Sequence, residues 1–321
     1  MDIYEHIGVA FAELPGVGQW DEVLDLFQRV TAQKPAHWLL PLRACEAVGG
    51  EETQAVPAAT AIACSHLSII LVDDMLDCDP RGEYRRAGAP AAANMASALQ
   101  AAASASIARA TCAPGNRLAA LECLNRMTLT TTLGQHWDVE GAPCLQCLAE
   151  DARYWQVVRA KSSPFFGAAL QIGALLGGAS IPLAAQLREL GELYGEMIQI
   201  HDDLSDSLSA PANPDWLQGR LPLPILFARL VEHPDRERFV ALCDQIAAVE
   251  TATLRDARLA EAQDILVTCG AVSYCVEKLL QRGAAMRAIL ETTPLRERAG
   301  IEALVEAVIA PVTKLFEELD D

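Results

Sequence analysis

The sequence predicts an all-α protein, and three observations carry that prediction. Aromatic residues make up 5% of the chain and strand formers are thin beside Ala and Leu, so helix propensity outweighs strand propensity. Apolar stretches run for helical lengths and are punctuated by Gly and Pro, the usual helix stops. Hydrophobic residues are 51% and charged residues 21% of 321 positions. That balance excludes a disordered or collagen-like chain and suffices to bury a core without disulfide staples.

In order, a short amphipathic helix is expected over 17–30 and another over 38–50, ending at Gly49-Gly50. A mostly apolar helix over 55–77 finishes in Asp73-Asp74-Met75-Leu76-Asp77, and Asp79-Pro80-Arg81-Gly82 opens a loop to about Pro90. An Ala-rich helix follows over 91–112, then helices over 115–139 and 147–179, interrupted near Gly141-Ala142-Pro143. The helix over 183–205 ends in a second acidic cluster; a loop with Pro211 and Pro214 leads to helices from 221 to 318, broken near His233-Pro234 and Thr293-Pro294. No shift of composition marks a linker, so residues 1–321 read as a single-domain helical bundle with a central apolar cavity.

The formal charge is −18, which disfavours nucleic acid as a partner, since phosphates need a basic face. The ten cysteines are scattered; Cys144 and Cys147 form one C-x-x-C without a second pair or a His at zinc spacing, so reduced thiols in a cytoplasmic protein are expected. Met1-Asp2-Ile3-Tyr4-Glu5-His6 is charged at once and does not look like a secretory signal. The stretch from Lys161 to Arg188 lacks internal charge but contains Ser162, Ser163, Gln171, Ser180 and Pro182, so a buried helix and turn are expected there and no transmembrane segment.

Chemistry concentrates in two D-D-x-x-D clusters: Asp73, Asp74 and Asp77, and Asp202, Asp203 and Asp206. At ordinary residue usage one such pattern arises by chance in roughly 7% of chains this long, and two in well under 1%. On a helix, Asp73 stacks with Asp77 and Asp202 with Asp206, an arrangement that repels unless a cation sits between them. Hard oxygen donors with no Cys or His triad point to Mg²⁺, which completes its shell with water and substrate phosphates. A solvated acidic face is the alternative; against it, both clusters follow apolar runs, Leu67 to Val72 and Met197 to Ile200. Two facing clusters make a site for pyrophosphate, and an allylic carbon side would need a dry apolar cavity for its cation.

These features resemble the trans-isoprenyl diphosphate synthase family, the polyprenyl synthetases, over roughly residues 30 to 320. Gln199-Ile200-His201-Asp202-Asp203-Leu204-Ser205-Asp206 is similar to the family's second aspartate motif, and Asp73 to Asp77 to the first. Gly134-Gln135-His136-Trp137-Asp138 resembles G-Q-x-x-D, Lys161-Ser162 resembles the K-T/S pair, and Asp215 to Pro224 resembles D-L-x-x-G-K-x-T-L-P. The resemblance implies an isoprenoid synthase fold, a homodimer and three Mg²⁺ ions held by the six aspartates. It implies an allylic prenyl diphosphate substrate bound by Arg86, Lys161, Gln199 and Arg220, with Asp73, Asp202, Ser162 and Gln135 in catalytic positions. The residues flooring the chain pocket would be Ile69 and Ser68, with Ser65 one turn away; small side chains there favour a C15 to C20 substrate.

The departures fall on the second substrate. The family's G-G-K-R-x-R-P stretch, which binds isopentenyl diphosphate, aligns with Ala32 to Trp38; Lys34 remains, while Pro35 and His37 replace both arginines. In R-R-G-x-P, anchored on Gly88 and Pro90, the first arginine is Arg86 and the second is Ala87, with Arg85 as an alternative because the loop is long. No basic residue lies between Ser207 and Pro214. Each lost charge-assisted bond removes about 1.5–3 kcal/mol. The first expectation is therefore terpene cyclisation, with the substrate's own double bond intercepting the cation. The alternatives are prenyl transfer to another acceptor, ordinary chain elongation, or a non-catalytic partner subunit, which retention of both aspartate motifs argues against.

Overall fold

The computed structural model describes residues 2–320 except 141–146, 148, 212–215, 218–219 and 249–251, with side chains at all of these but 252–253 and 311–320. Among the described residues every regular element is a helix, so the predicted class holds. The first helix, α1 (Ile3–Ala12), has no counterpart among the expected elements. Its signal is local: Asp2 accepts from the backbone of Tyr4 and Glu5 while Glu5 reaches back to the Asp2 N–H, a reciprocal cap.

The helix expected over 17–30 is a 3-10 turn at Val17–Gln19 and α2 (Asp21–Thr31), parted at Trp20, whose backbone is extended. The next is a 3-10 turn at Ala36–Leu39 and α3 (Leu40–Ala47), after which Gly49 reverses the chain at φ +86°. Then come α4 (Glu52–Leu76), a short α5 (Glu83–Ala87) inside the stretch expected as loop, α6 (Ala89–Ala108) and α7 (Pro114–Glu140). The helix expected over 147–179 is two, α8 (Glu150–Lys161) and α9 (Ser163–Leu176). Pro164 has no N–H to donate to the preceding turn, so one helix stops at Ser162 and another starts. The long α10 (Ile181–Leu208) leads to α11 (Leu223–Leu230), α12 (Arg236–Ala248), α13 (Ala252–Thr268), α14 (Ala271–Thr292) and α15 (Ala299–Asp320). Pro234 and Pro294 break the series as expected, and Gly270, at φ +89°, adds a break between α13 and α14. The expected break at Gly141-Ala142-Pro143, Cys144, Pro214, and Asp215, Gln218 and Gly219 of the last motif lie outside the described residues.

Helix α9 is buried along most of its length among α3, α7 and α10, which accounts for the uncharged stretch after Lys161. Helix α4 packs on α6, and both carry buried alanines, Ala55, Ala58 and Ala59 on α4 and Ala92, Ala96 and Ala103 on α6. Small side chains let these backbones approach, and Ser106 Oγ ties them by donating to the Pro57 carbonyl at 2.9 Å. Among the described residues α4 is the one helix long and apolar enough to cross a membrane, and 67% of its apolar window is buried inside the protein. Burial in the bundle explains that apolarity as it does for α9. A large hydrophobic cluster fills the bundle, and a smaller one around Trp216, Phe239 and Leu266 lies under α11 to α13.

One glycine sets how close α7 comes to α8. A Cβ on Gly134 would stand 2.3 Å from the Lys161 nitrogen and 2.4 Å from the Ala160 carbonyl carbon, backbone atoms that cannot step aside. Gly134→Ala is expected to destabilise by about 1–3 kcal/mol in urea unfolding. Gly8→Ala, whose Cβ meets nothing within 4 Å, is expected to stabilise by about 0.5–1 kcal/mol. Equal effects at the two positions would contradict this packing.

Candidate active site

The two acidic clusters sit at the C-terminal ends of α4 and α10. Asp73 and Asp74 are in the last turn of α4 and Asp77 caps it; Asp202, Asp203 and Asp206 occupy the last two turns of α10. Carboxylates there meet the negative ends of two helix dipoles. Five of the six line one cavity of about 360 Å³, with Asp79 and Asp138 added; Asp74 does not line it. Burial first, then Asp79 and Asp73, push Asp74 up to about 6. Against seven carboxylates the described lining offers three cations, Arg81, Lys161 and Arg220.

The chain's own cations stand among these carboxylates. Lys161 Nζ is 2.6 Å from Asp138 Oδ2 and 3.6 Å from Asp73 Oδ1. Burial works to lower its pKa, but Asp138 and Asp73 outweigh it and hold it raised. Arg220 grips Asp77 with both terminal nitrogens, Nη1 at 3.1 Å from Oδ2, and reaches toward Asp138 at 3.9 Å. Asp73 Oδ1 is buried without a hydrogen-bond partner, and burial raises its carboxyl above the usual range, as it does for Asp202 and Asp206.

Asp203 is spoken for. It is buried, and its oxygens accept from Gln199 Nε2 at 2.7 Å, the Tyr154 hydroxyl at 2.7 Å and the Leu223 backbone N–H at 2.7 Å. Gln199 in turn accepts from Ser162 Oγ at 2.5 Å. The helix break at Ser162 aims this hydroxyl at Gln199 of α10, while the neighbouring Lys161 reaches Asp138 of α7 and Asp73 of α4.

Below the acidic cavity lies an apolar one of about 500 Å³. Asp73, Lys161, Ser162, Gln199 and Asp202 line both, so the two are continuous. Ser68 and Ile69 line it as expected for a chain pocket. Ser68 Oγ donates to the Ala96 carbonyl at 3.0 Å and accepts from Gln100 Nε2 at 3.1 Å, which fixes that wall. Gln135 lines this cavity and not the acidic one, its Nε2 buried without a partner.

Two expectations need correction. Arg86 does not reach either cavity. Its guanidinium is 53% exposed and held by Glu83 at 2.6 Å and Asp25 at 3.2 Å, because α5 turns it outward; Arg85 lies over the Tyr84 ring. Arg81, five residues earlier, lines the acidic cavity instead, paired with Asp79 at 2.8 Å. Ser65 is buried and faces the helix packing, not the cavity. Tyr154, Asp138 and Arg81 went unassigned in the sequence. Asp138 carried a signal as the last residue of the G-Q-x-x-D resemblance; Tyr154 carried none.

The donor set suits magnesium. It consists of hard carboxylate oxygens, one of them, Asp73 Oδ1, buried without a hydrogen bond, with a large excess of negative charge. Among the described residues no three ligand groups converge at metal distance in this conformation, since Lys161 and Arg220 draw Asp73, Asp138 and Asp77 to themselves.

A charged, oxygen-rich mouth thus opens onto an apolar chamber. Residues 33–254 match polyprenyl synthetase, and the chain belongs to that family. Among its relatives, the geranylgeranyl diphosphate synthase of Methanosarcina mazei is 30% identical over 200 residues, 58% of this chain and 60% of its own length. The short chain isoprenyl diphosphate synthase of Methanothermobacter thermautotrophicus is 29% identical over 251 residues, 73% of each chain. The geranylgeranyl pyrophosphate synthetase from the archaeon Geoglobus acetivorans superposes with a TM-score of 0.75 at 24% identity over 95% of each chain. A polyprenyl synthase from Caulobacter crescentus complexed with calcium and isoprenyl diphosphate superposes at 0.79 with 20% identity, over 96% of this chain and 93% of that one. These superpositions establish the fold as that of the isoprenyl synthases.

Tyr154→Phe removes one charge-assisted donor from buried Asp203. It is expected to cost about 1.5–3 kcal/mol of stability, read as a lower urea midpoint; an unshifted midpoint would mean that this bond contributes nothing.

Proposed function

We propose that the protein is a trans-prenyltransferase that extends an allylic C15 to C20 diphosphate by one isopentenyl unit, a linear chain elongation of the geranylgeranyl type. The observation that carries this reading is the continuity of the carboxylate cavity with an apolar chamber of about 500 Å³. The matched family, whose enzymes depend on magnesium, and the synthases named above support it. Terpene cyclisation, the first expectation from the sequence, gains no support from those relatives.

Asp73, Asp77 and Asp202 would hold magnesium, with Asp206 and Asp138 near them. Bound there, the metal supplies neutralisation of the diphosphate as its C–O bond breaks. The charges agree with three ions: the cavity's excess of four carboxylates and a diphosphate of about three negative charges nearly balance three divalent cations. Lys161 and Arg220 are positioned to release their aspartates and turn to the diphosphate oxygens. Ser162 and Gln199 set the position of the α10 carboxylates. Phe165, Phe166, Ile69 and Ile198 line the chamber and keep water from the cation.

One observation favours a second reading, in which no second diphosphate is bound. Lys34 is exposed and paired with Asp2 at 2.7 Å, and Lys161 is the only cation among the described residues lining the apolar cavity. A neutral acceptor, including the substrate's own double bond, would then intercept the cation. The surface of α7 also carries exposed Leu118, Leu129 and Leu133 along one side, an apolar strip that a second copy would cover in a homodimer.

Farnesyl or geranylgeranyl diphosphate with magnesium should give a longer diphosphate only when isopentenyl diphosphate is added. Hydrocarbon formed without it would establish the second reading, and no diphosphate release at all would overturn both. Chelation should abolish release and magnesium restore it. Lys161→Ala is expected to weaken binding of inorganic pyrophosphate with magnesium at least tenfold by calorimetry, and Arg86→Ala to change it less than threefold; the reverse order would place Arg86 at the site after all. Ser68→Phe should shorten the products, and an unchanged product length would remove Ser68 from the chain pocket.

A further inference from the structure

A growing chain needs a stop, and Ser68 is too small to provide one alone. From the acidic mouth inward, the wall of the apolar cavity on α4 runs through Asp73, Ile69 and Ser68, and on α7 through Gln135 and Thr131. His66 lines the other side of α4, beside Phe165 of α9. One turn beyond Ser68 and Thr131, neither Ser65 nor Thr128 lines the cavity. Gln100 stands at the level where the wall ends, and it is the one residue of α6 among the described lining.

A primary amide in an apolar wall is costly unless its polar atoms are bonded, and here both ends have partners. Gln100 Nε2 donates to Ser68 Oγ at 3.1 Å, and Ser68 Oγ passes its own proton to the Ala96 carbonyl at 3.0 Å. Ser68 can then only accept from Gln100, which fixes the amide with its nitrogen toward α4. The Oε1 end faces Thr128 Oγ1 of α7 at 3.2 Å. That hydroxyl also lies 3.0 Å from the Leu124 carbonyl, so its single proton serves one or the other. The side chain is therefore a bar from α4 to α7, carried on α6. Beyond it the next turns carry small side chains, Ala61, Cys64 and Ser65 on α4 and Ala102 and Ala103 on α6, all buried. Those turns hold no side chain large enough to halt a prenyl tail once the bar is gone.

We infer that Gln100, held across the chamber by Ser68 and Thr128, is the stop that sets product length, a role that rests on the chain elongation proposed above. The tail of the prenyl diphosphate enters between α4 and α7 and meets the amide side-on. A further isoprene unit would have to displace the amide from Ser68 and leave its polar atoms buried against hydrocarbon, so added length is refused by lost hydrogen bonds as well as by bulk. Trimming the side chain to a methyl removes nearly the bulk of one isoprene unit. A ring at the same place fills space that the tail now uses.

The test compares wild type with Gln100→Ala and Gln100→Phe in two measurements. In the first, farnesyl diphosphate, isopentenyl diphosphate and magnesium are supplied and the lengths of the product diphosphates are compared, a distribution independent of how much protein folds. Gln100→Ala should shift it upward by at least one isoprene unit and Gln100→Phe downward; loss of packing alone would not move the two in opposite directions. In the second, calorimetry with magnesium gives the affinity for geranylfarnesyl diphosphate relative to farnesyl diphosphate, with no turnover required. That ratio should rise at least fivefold in Gln100→Ala and fall at least fivefold in Gln100→Phe. A ratio unchanged in Gln100→Ala would overturn the role of Gln100, whatever the wild type makes. The expected ratios with no longer diphosphate formed by wild type would support the stop and overturn the elongation instead.

Discussion

Concentrated negative charge at two helix ends is the constraint on which this structure turns. Each stacked carboxylate pair weakens its helix by about 0.2–0.5 kcal/mol, and the helix dipoles add a penalty of about 0.3–1 kcal/mol per exposed charge. The fold answers with Lys161 between α4 and α7, Arg220 against the end of α4, and a set of donors around Asp203. These contacts offset part of the repulsion but leave four carboxylates in excess. That surplus is what makes the cavity a receptor for divalent cations and, through them, for diphosphate.

Beneath the charged mouth, alanines on α4 and α6 and glycines on α7, α9 and α10 bring helix backbones close together. The chamber left between the helices is lined by aromatic and aliphatic side chains on several elements, so its depth is set by residues such as Ser68 that lie far apart in sequence from Thr131 and Phe166.

The all-α class and the two carboxylate clusters were legible because their signals are local. Helical length, composition and i, i+4 spacing need no partner to be read, and the Lys161-Ser162 and Gln199 placements followed from short stretches. What failed depended on direction. Arg86 was chosen by counting from Gly88 and Pro90, but the unforeseen turn of α5 faces it toward Glu83 and Asp25, and the earlier Arg81, itself 83% exposed, stands at the rim of the acidic cavity. Ser65 shares a helix face with Ser68 by spacing, yet one turn along α4 the cavity has closed. Tyr154 had no readable role, because its partner Asp203 is 49 residues away and meets it only after α8 and α10 pack. The split of α8 from α9 could have been read from Pro164.

The hydrogen bond from the Leu223 backbone to Asp203 joins the acidic helix to the first residue of α11, and through α11 to the smaller hydrophobic cluster. Because Asp203 accepts that amide, one bond holds both the acidic turn of α10 and the seat of the C-terminal third against it.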